Sequence, residues 1–87
     1  MRSRQVTDEV NRIVKSDLAD LEKVMGAFDV ITSSVIEAAE QEVELSRALG
    51  DRESVVKEQI KMETVKHARA ILNDCYMRVT RRRAWDE

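Results

Sequence analysis

The stretch Arg47-Ala48-Leu49-Gly50-Asp51-Arg52 separates two long segments of helical periodicity and decides the fold. Glycine readily adopts the left-handed conformation that is needed just after a helix C-terminus. Asp51 can then accept hydrogen bonds from the first amides of a following helix, and Ser54 is an alternative cap for a slightly later start. The sequence therefore predicts a helix over about 7–48, a turn over about 49–53 and a helix over about 54–83.

The segment before the turn carries apolar residues at helical spacing. Thr7 is suited to cap its N-terminus, and Asp8 and Glu9 suit the positive end of the helix dipole. Three lines of residues spaced seven apart run along it: Val14, Leu21, Phe28 and Val35; Val24, Ile31, Ala38 and Leu45; Leu18, Met25, Thr32 and Ala39. This stripe is wider than a coiled-coil seam, which predicts packing against more than one helix.

Two positions leave the continuity of the first helix open. The stripe has a polar gap at residues 15–17, where the helix could break so that its first turns fold back. Gly26 lies within the periodic pattern, where glycine costs roughly 1 kcal/mol relative to alanine. We interpret Gly26 as a site of close approach or a bend, with a break in the helix as the lesser possibility.

The segment after the turn has a second apolar stripe at spacings of three and four. Its members are Val65, Ala68, Leu72, Cys75 and Val79, flanked by Met62, Ile71 and Tyr76. A bare hairpin of two such helices leaves half of its apolar surface in water, and a short chain buries a limited share of its surface. We therefore predict an all-α fold: a single helical domain over residues 1–87, folded as a long antiparallel hairpin that association completes to a helical bundle.

Composition excludes several classes of protein. The chain has 87 residues, of which 43% are hydrophobic and 37% charged, with three aromatic residues and a net charge of −2. No run approaches the roughly 18 apolar residues that cross a bilayer, so we predict no membrane association. The basic N-terminus is followed by acidic and polar residues, which argues against a secretory signal. One cysteine cannot form an intrachain disulfide, which fits the cytoplasm.

Candidate chemical groups are few. His67 follows Glu63 by one helical turn, which is half of a metal site, but the chain has no second copy of the pair. Cys75 has no base nearby, because His67 lies about 12 Å away along the same helix; a buried cysteine usually acts as a small hydrophobe. The sequence contains no phosphate loop or zinc-ligand cluster. We predict no enzymatic activity, no metal and no cofactor.

The end of the second helix is strongly basic. Four arginines stand near a tryptophan: Arg78, Arg81, Arg82 and Arg83, with Trp85. Arginines beside an aromatic ring can contact phosphates and stack a base, so nucleic acid is one interpretation. The cations could instead only complement the helix dipole, or Trp85 could anchor a protein interface. The acidic segment over residues 37–44 lies near the turn, so a hairpin keeps it away from these arginines.

The apolar stripes and the tryptophan predict a protein interface. Its candidate residues are Leu21, Phe28, Ile31, Val35, Leu72, Tyr76, Val79 and Trp85. The expected partner is a second copy of the chain or a helical partner subunit, and the four arginines are candidate contacts with nucleic acid or with that partner.

The stretch over residues 63–83 resembles the last long helix of the helical domain in GINS replication-complex subunits, particularly the archaeal type. Its similar residues are Ala68, Ile71, Leu72, Asp74, Tyr76, Arg78 and Arg81 to Arg83. The resemblance implies a non-enzymatic scaffold that assembles from similar helical domains and joins the replicative helicase to its partners. The sequence thus favours a scaffold or protein-interaction module. A small helical-hairpin chaperone or adaptor of the secretion-system type, or a nucleic-acid-binding protein, is the alternative.

Overall fold

The computed structural model describes residues 3–86 and contains three helices: α1 over Ser3–Val14, α2 over Asp20–Ala48 and α3 over Arg52–Thr80. Helices α2 and α3 pack side by side as an antiparallel hairpin, and α1 packs against α2. The described residues contain no strand. The all-α fold and the helical hairpin are therefore confirmed.

The prediction of one helix over about 7–48 is wrong, because the chain breaks after Val14 and starts again at Asp20. Ser16 accounts for the break: its hydroxyl donates to the carbonyl of Ile13 at 2.6 Å and accepts the amide of Leu18 at 3.4 Å. Such a serine competes with the helical hydrogen bonds of the backbone.

The helix break lets α1 fold back along α2, with Gly26 at the crossing. A Cβ placed on Gly26 would meet the side chain of Ile13 at 3.4 Å. Gly26 is thus a site of close approach within a continuous α2. Thr7 does not cap α1, which begins four residues earlier, at Ser3.

The turn after α2 follows the sequence prediction closely. Gly50 has a φ of +74°, and the amides of Gly50 and Asp51 donate to the carbonyls of Arg47 and Ser46, a Schellman motif. Asp51 caps α3, since its carboxylate accepts the amide and the hydroxyl of Ser54 at 3.1 and 2.7 Å. Those two bonds lower the pKa of Asp51 below its ordinary value of 3.8. The turn is therefore shorter than the predicted 49–53.

Helix α3 ends at Thr80, three residues before the predicted end. Arg81 adopts a left-handed conformation with a φ of 65°, and its amide donates to the carbonyl of Met77. The hydroxyl of Thr80 turns back to the carbonyl of Tyr76 at 2.8 Å. Residues 81–86 then continue as an irregular tail.

The seam between α2 and α3 is displaced from the stripe that the sequence predicted on α3. Arg69 and Tyr76 are the buried residues of α3, and Met25, Ala39, Val43 and Ser46 are the buried residues of α2. Three members of the predicted stripe are exposed instead: Ala68, Cys75 and Val79. The prediction assumed that apolar residues alone would occupy the seam, whereas Arg69 takes a central place in it.

The molecule is flat. Its extents are 47 × 29 × 14 Å, and its radius of gyration is 15.1 Å, against about 12 Å for a compact domain of this length. A thickness of 14 Å accommodates a single layer of helices, whereas domains are normally built from two packed layers. None of the helices in the described residues is long and apolar enough to span a membrane.

Candidate functional site

Helix α2 presents a row of exposed apolar side chains beside the seam. Val24, Ile31, Ala38 and Leu45 recur every seven residues and therefore share one side of the helix. Val24 is 60% exposed, Ile31 46% and Leu45 53%. Leu21 lies where this row approaches α3 and is also exposed. The structure thus confirms the row's alignment but leaves it uncovered.

Helix α3 extends the same surface. Leu21 and Met25 of α2 form one cleft with residues of α3. The cleft has a volume of about 130 Å³, and α3 contributes Leu72, Cys75, Tyr76 and Val79 to it. Ala68 and Ile71 lie on the same side of α3 as Cys75, one or two turns nearer the α2–α3 turn. We call this surface the apolar face; it consists of Leu21, Val24, Ile31, Ala38, Leu45, Ala68, Ile71, Cys75 and Val79.

The eight predicted interface residues fall into three groups. Leu21, Ile31 and Val79 lie on the apolar face. Val35, Leu72 and Tyr76 are half-buried or buried along the seam inside the chain. The remaining two, Phe28 and Trp85, stack on each other.

Trp85 closes the tail onto the hairpin. Its ring lies 5.9 Å from that of Phe28 at an interplanar angle of 12°. Asn73 of α3 holds the tail through two hydrogen bonds. Its side-chain amide donates to the Trp85 carbonyl at 3.1 Å, and its side-chain oxygen accepts the Ala84 amide at 2.9 Å. Trp85 is therefore engaged within the chain through both its ring and its backbone.

Arg69 is the central polar residue of the seam and was not predicted from the sequence. It is 4% exposed, and its guanidinium donates to the Asp29 carboxylate at 2.7 Å, to the Asp29 carbonyl at 3.2 Å and to the Thr32 hydroxyl. The guanidinium also lies 4.6 Å from the centre of the Trp85 ring, a cation–π contact. One signal was available: Arg69 continues the spacing of Met62 and Val65 towards Tyr76.

The four arginines at the end of α3 do not form one free cluster. Arg78 binds Asp74 at 2.9 Å, one turn earlier in the same helix. Arg82 reaches Glu22 of α2 at 3.3 Å and lies 6.0 Å from the Tyr76 ring. Arg81 and Arg83 are exposed, and neither forms an ion pair among the described residues.

Tyr76 of α3 and Glu22 of α2 connect the two helices near the open end of the hairpin, which is the end opposite to the α2–α3 turn. The phenol donates to the Glu22 carboxylate at 2.6 Å. This hydrogen bond, burial and the negative charge of Glu22 raise the pKa of Tyr76 above its ordinary value of 10.0, and the charge of Arg82 opposes the shift. The neutral phenol is thus the form that the fold holds.

The residues weighed for metal binding and catalysis lie apart from any built site. Among residues 3–86, no group of three or more histidine, cysteine, aspartate and glutamate side chains is placed to hold a metal ion. Glu63 and His67 are exposed on α3. Cys75 is exposed as well, so its interpretation as a buried small hydrophobe is wrong; it contributes to the apolar face.

Comparison of the chain with protein-family models, with curated proteins and with solved structures gave no match. The resemblance of residues 63–83 to the GINS helical domain therefore stays a prediction, and the candidate site rests on the geometry of the chain itself.

Proposed function

We propose that this chain is a non-enzymatic protein-interaction module that works by covering its apolar face with another helical protein. The observation that carries the proposal is the single-layer shape: a body 14 Å thick with a continuous row of exposed apolar side chains along its long axis. Exposed apolar patches of this kind mark interaction sites on soluble proteins.

The small amount of apolar surface that the chain buries by itself supports association. Four hydrophobic residues in the described part of the chain are buried, and no large side chain is fully enclosed. Burying a leucine, isoleucine or valine side chain contributes about 1.5–3 kcal/mol. Val24, Ile31 and Leu45 are 60%, 46% and 53% exposed, so covering all three contributes roughly 2–5 kcal/mol, a substantial fraction of the stability of a small domain.

A scaffold role of the GINS type is one form of this proposal. Ala68 and Ile71 belong to the residues that carry the resemblance, and both are exposed on the apolar face. A subunit that assembles from similar helical domains needs such residues at its contact surface. The chaperone or adaptor alternative uses the same face but holds one unstable partner.

The nucleic-acid alternative has less support. Stacking a base requires an available aromatic ring, whereas the Trp85 ring packs on Phe28 and faces Arg69. Arg78 and Arg82 already have carboxylate partners. Arg81 and Arg83 are left for phosphates, and the alternative stays a prediction that rests on those two side chains.

The test is the variant Ile31→Asp, which places a charge in the middle of the apolar face without touching the seam. We expect the unmodified chain to associate above its 10.0 kDa mass in a light-scattering concentration series, or to retain a protein partner from its own host. Ile31→Asp should abolish either association. Ile60→Asp is the matched control, because Ile60 is 62% exposed and lies on the side of α3 away from α2.

Circular dichroism should show the same helix content in all three proteins. Association that survives Ile31→Asp, or a monomer that retains no partner under any condition, would overturn the proposal.

A further inference from the structure

We propose that a second copy of this chain covers the apolar face, related by a two-fold axis parallel to the helices. In this dimer, α2 of one copy lies on α3 of the other, so these two helices of each copy form a four-helix core, and both turns are at the same end. The inference rests on the proposed function and adds to it the identity and the orientation of the partner.

The contacts within the hairpin fix which residues lie at the same level. Asp29 and Thr32 lie level with Arg69, and Glu22 lies level with Tyr76. The helices α2 and α3 run in opposite directions with the same rise per residue. Counting from these pairs towards the α2–α3 turn therefore places Glu42 level with the helical turn of α3 that contains Lys57 and Lys61. By the same relation, Val24 is level with Cys75.

At the level of Glu42, each helix has one kind of charge in the row that forms this face. On α2, Glu42 follows Val35 by seven residues and Ala38 by four, so it belongs to the apolar row. On α3, Lys57 and Lys61 continue the row of Ala68, Cys75 and Val79 towards the turn, at spacings of four and seven.

These charges are available for a partner. Glu42 and Lys57 are exposed and form no ion pair among residues 3–86. Lys61 lies 3.7 Å from Glu58 with its side chain 54% exposed. The face thus carries one unpaired acid on α2 and two accessible bases at the same level on α3.

A two-fold axis parallel to the helices pairs these groups. It keeps every residue at its level and exchanges α2 for α3, so Glu42 meets Lys57 and Lys61 of the second copy, twice by symmetry. At the open end the same operation places Val24 and Ile31 against Cys75 and Ile71 of the second copy. This arrangement therefore pairs opposite charges with each other and places apolar side chains against apolar side chains.

The other face-to-face arrangement lacks this complementarity. A two-fold axis perpendicular to the helices places α3 antiparallel to α3 of the second copy. The half of α3 that carries Lys57 and Lys61 would then lie against the half that carries Cys75 and Val79. Burying lysines against an apolar surface is unfavourable, so the parallel axis is preferred.

Charge reversal is the first test. We expect Glu42→Lys, and separately Lys57→Glu with Lys61→Glu, to weaken dimerisation about tenfold, because attraction becomes repulsion at two symmetric contacts. The triple variant with all three changes should restore the dissociation constant to within about threefold of the unmodified chain. Glu40→Lys is the matched control: Glu40 is exposed two residues away and on a different side of α2.

Disulfide cross-linking is the second test and uses the single native cysteine. Val24→Cys should form a covalent dimer with Cys75 of the second copy under oxidising conditions, measured on a non-reducing gel. The double variant Val24→Cys with Cys75→Ala should form none. Val24 is 60% exposed, so the substitution leaves the seam intact.

The outcomes separate this inference from the proposed function. If the chain dimerises in an Ile31-dependent way but shows neither charge rescue nor the covalent dimer, the arrangement is wrong and the interaction module stands. A monomer that binds a different protein through Ile31 overturns the second copy alone. A monomer with no partner overturns both.

Discussion

Arg69 lies in the seam between α2 and α3 and connects three parts of the molecule. Its guanidinium binds Asp29 and Thr32 of α2, while its flat face is 4.6 Å from the ring of Trp85 in the tail. A buried charge is tolerated only when it is paired and hydrogen-bonded. This one residue therefore orients α3 on α2 and gives the tail a place to dock.

Removing the Asp29 carboxylate should lower the stability of the fold. We expect Asp29→Ala to lower the free energy of unfolding by about 2–3 kcal/mol, since the buried Arg69 guanidinium loses its charge-assisted hydrogen bond to the Asp29 carboxylate. The Asp29 side chain is 43% exposed, so water partly replaces the carboxylate and the loss stays below that of a fully enclosed pair. Urea unfolding followed by the fluorescence of Trp85 measures it.

Asp17→Ala is the control for that experiment. Asp17 is an exposed aspartate between α1 and α2, and its removal should change the stability by less than about 0.5 kcal/mol. Equal effects of the two substitutions would show that Arg69 does not depend on Asp29.

Tyr76 gives the fold a dependence on alkaline pH. Because its pKa is raised above 10.0 in the folded state, the folded chain binds the phenolic proton more tightly than the unfolded chain does. The stabilisation is therefore complete below pH 10.0 and is lost as the pH rises through the folded-state pKa. Tyr76→Phe should lack this component, so the two urea midpoints should converge at alkaline pH.

The chain has a single tyrosine, so its phenolate absorbance reports the pKa directly. A midpoint of this titration at or below 10.0 would contradict the hydrogen bond to Glu22, as would the same slope of stability against pH in both proteins.

At the scale of the elements, the break between α1 and α2 shows how a short polar segment changes the layout. Ser16 ends α1 through its bond to Ile13, and the same Ile13 then packs at Gly26 in the next helix. The small residue allows α1 to approach closely. Helix α1 is held on one flank of α2, and the apolar row from Val24 to Leu45 stays uncovered.

Substitutions at Gly26 should separate helix propensity from helix docking. Gly26→Ala should raise the stability by up to about 1 kcal/mol, because alanine favours the helix and its Cβ would lie at an ordinary contact distance of 3.4 Å from Ile13. Gly26→Leu should displace Ile13, so the amides of α1 should lose protection in hydrogen exchange while α2 and α3 keep theirs. Unchanged protection of α1 in the leucine variant would refute the docking role.

At the scale of the whole molecule, two features matter: the flat shape and the separation of acidic and basic residues along the hairpin. A single layer 14 Å thick cannot enclose a core, and the proposed second copy would supply the second layer that domains normally have. The acidic segment over residues 37–44 lies near the turn, and the basic tail lies at the open end. The tail is partly neutralised by Glu22 and Asp74, which leaves Arg81 and Arg83 as its free cations among the described residues.

Local signals in the sequence were sufficient for the turn and for α3 to within three residues at each end, but they left the break between α1 and α2 open. Gly50 and Asp51 have their predicted roles, because a left-handed glycine and a capping carboxylate act over a few residues. The row of Met25, Thr32 and Ala39 lies along the seam, whereas the row of Val24, Ile31, Ala38 and Leu45 is exposed. Val14 and Leu18, which began two of the predicted rows, fall outside α2. The stripe on α3 was misplaced, since periodicity alone cannot show that Arg69 would satisfy its charge against Asp29, forty positions away.

The sequence by itself thus determined an all-α hairpin and its turn, since these follow from short-range spacing and backbone preference. Only the tertiary structure decided that α1 packs on α2 at Gly26 and that Trp85 stacks on Phe28 within the chain. It also decided that Arg69, and not Ala68, occupies the seam. Those choices depend on pairs of groups far apart in sequence, whose burial and hydrogen bonding are settled together when the helices pack.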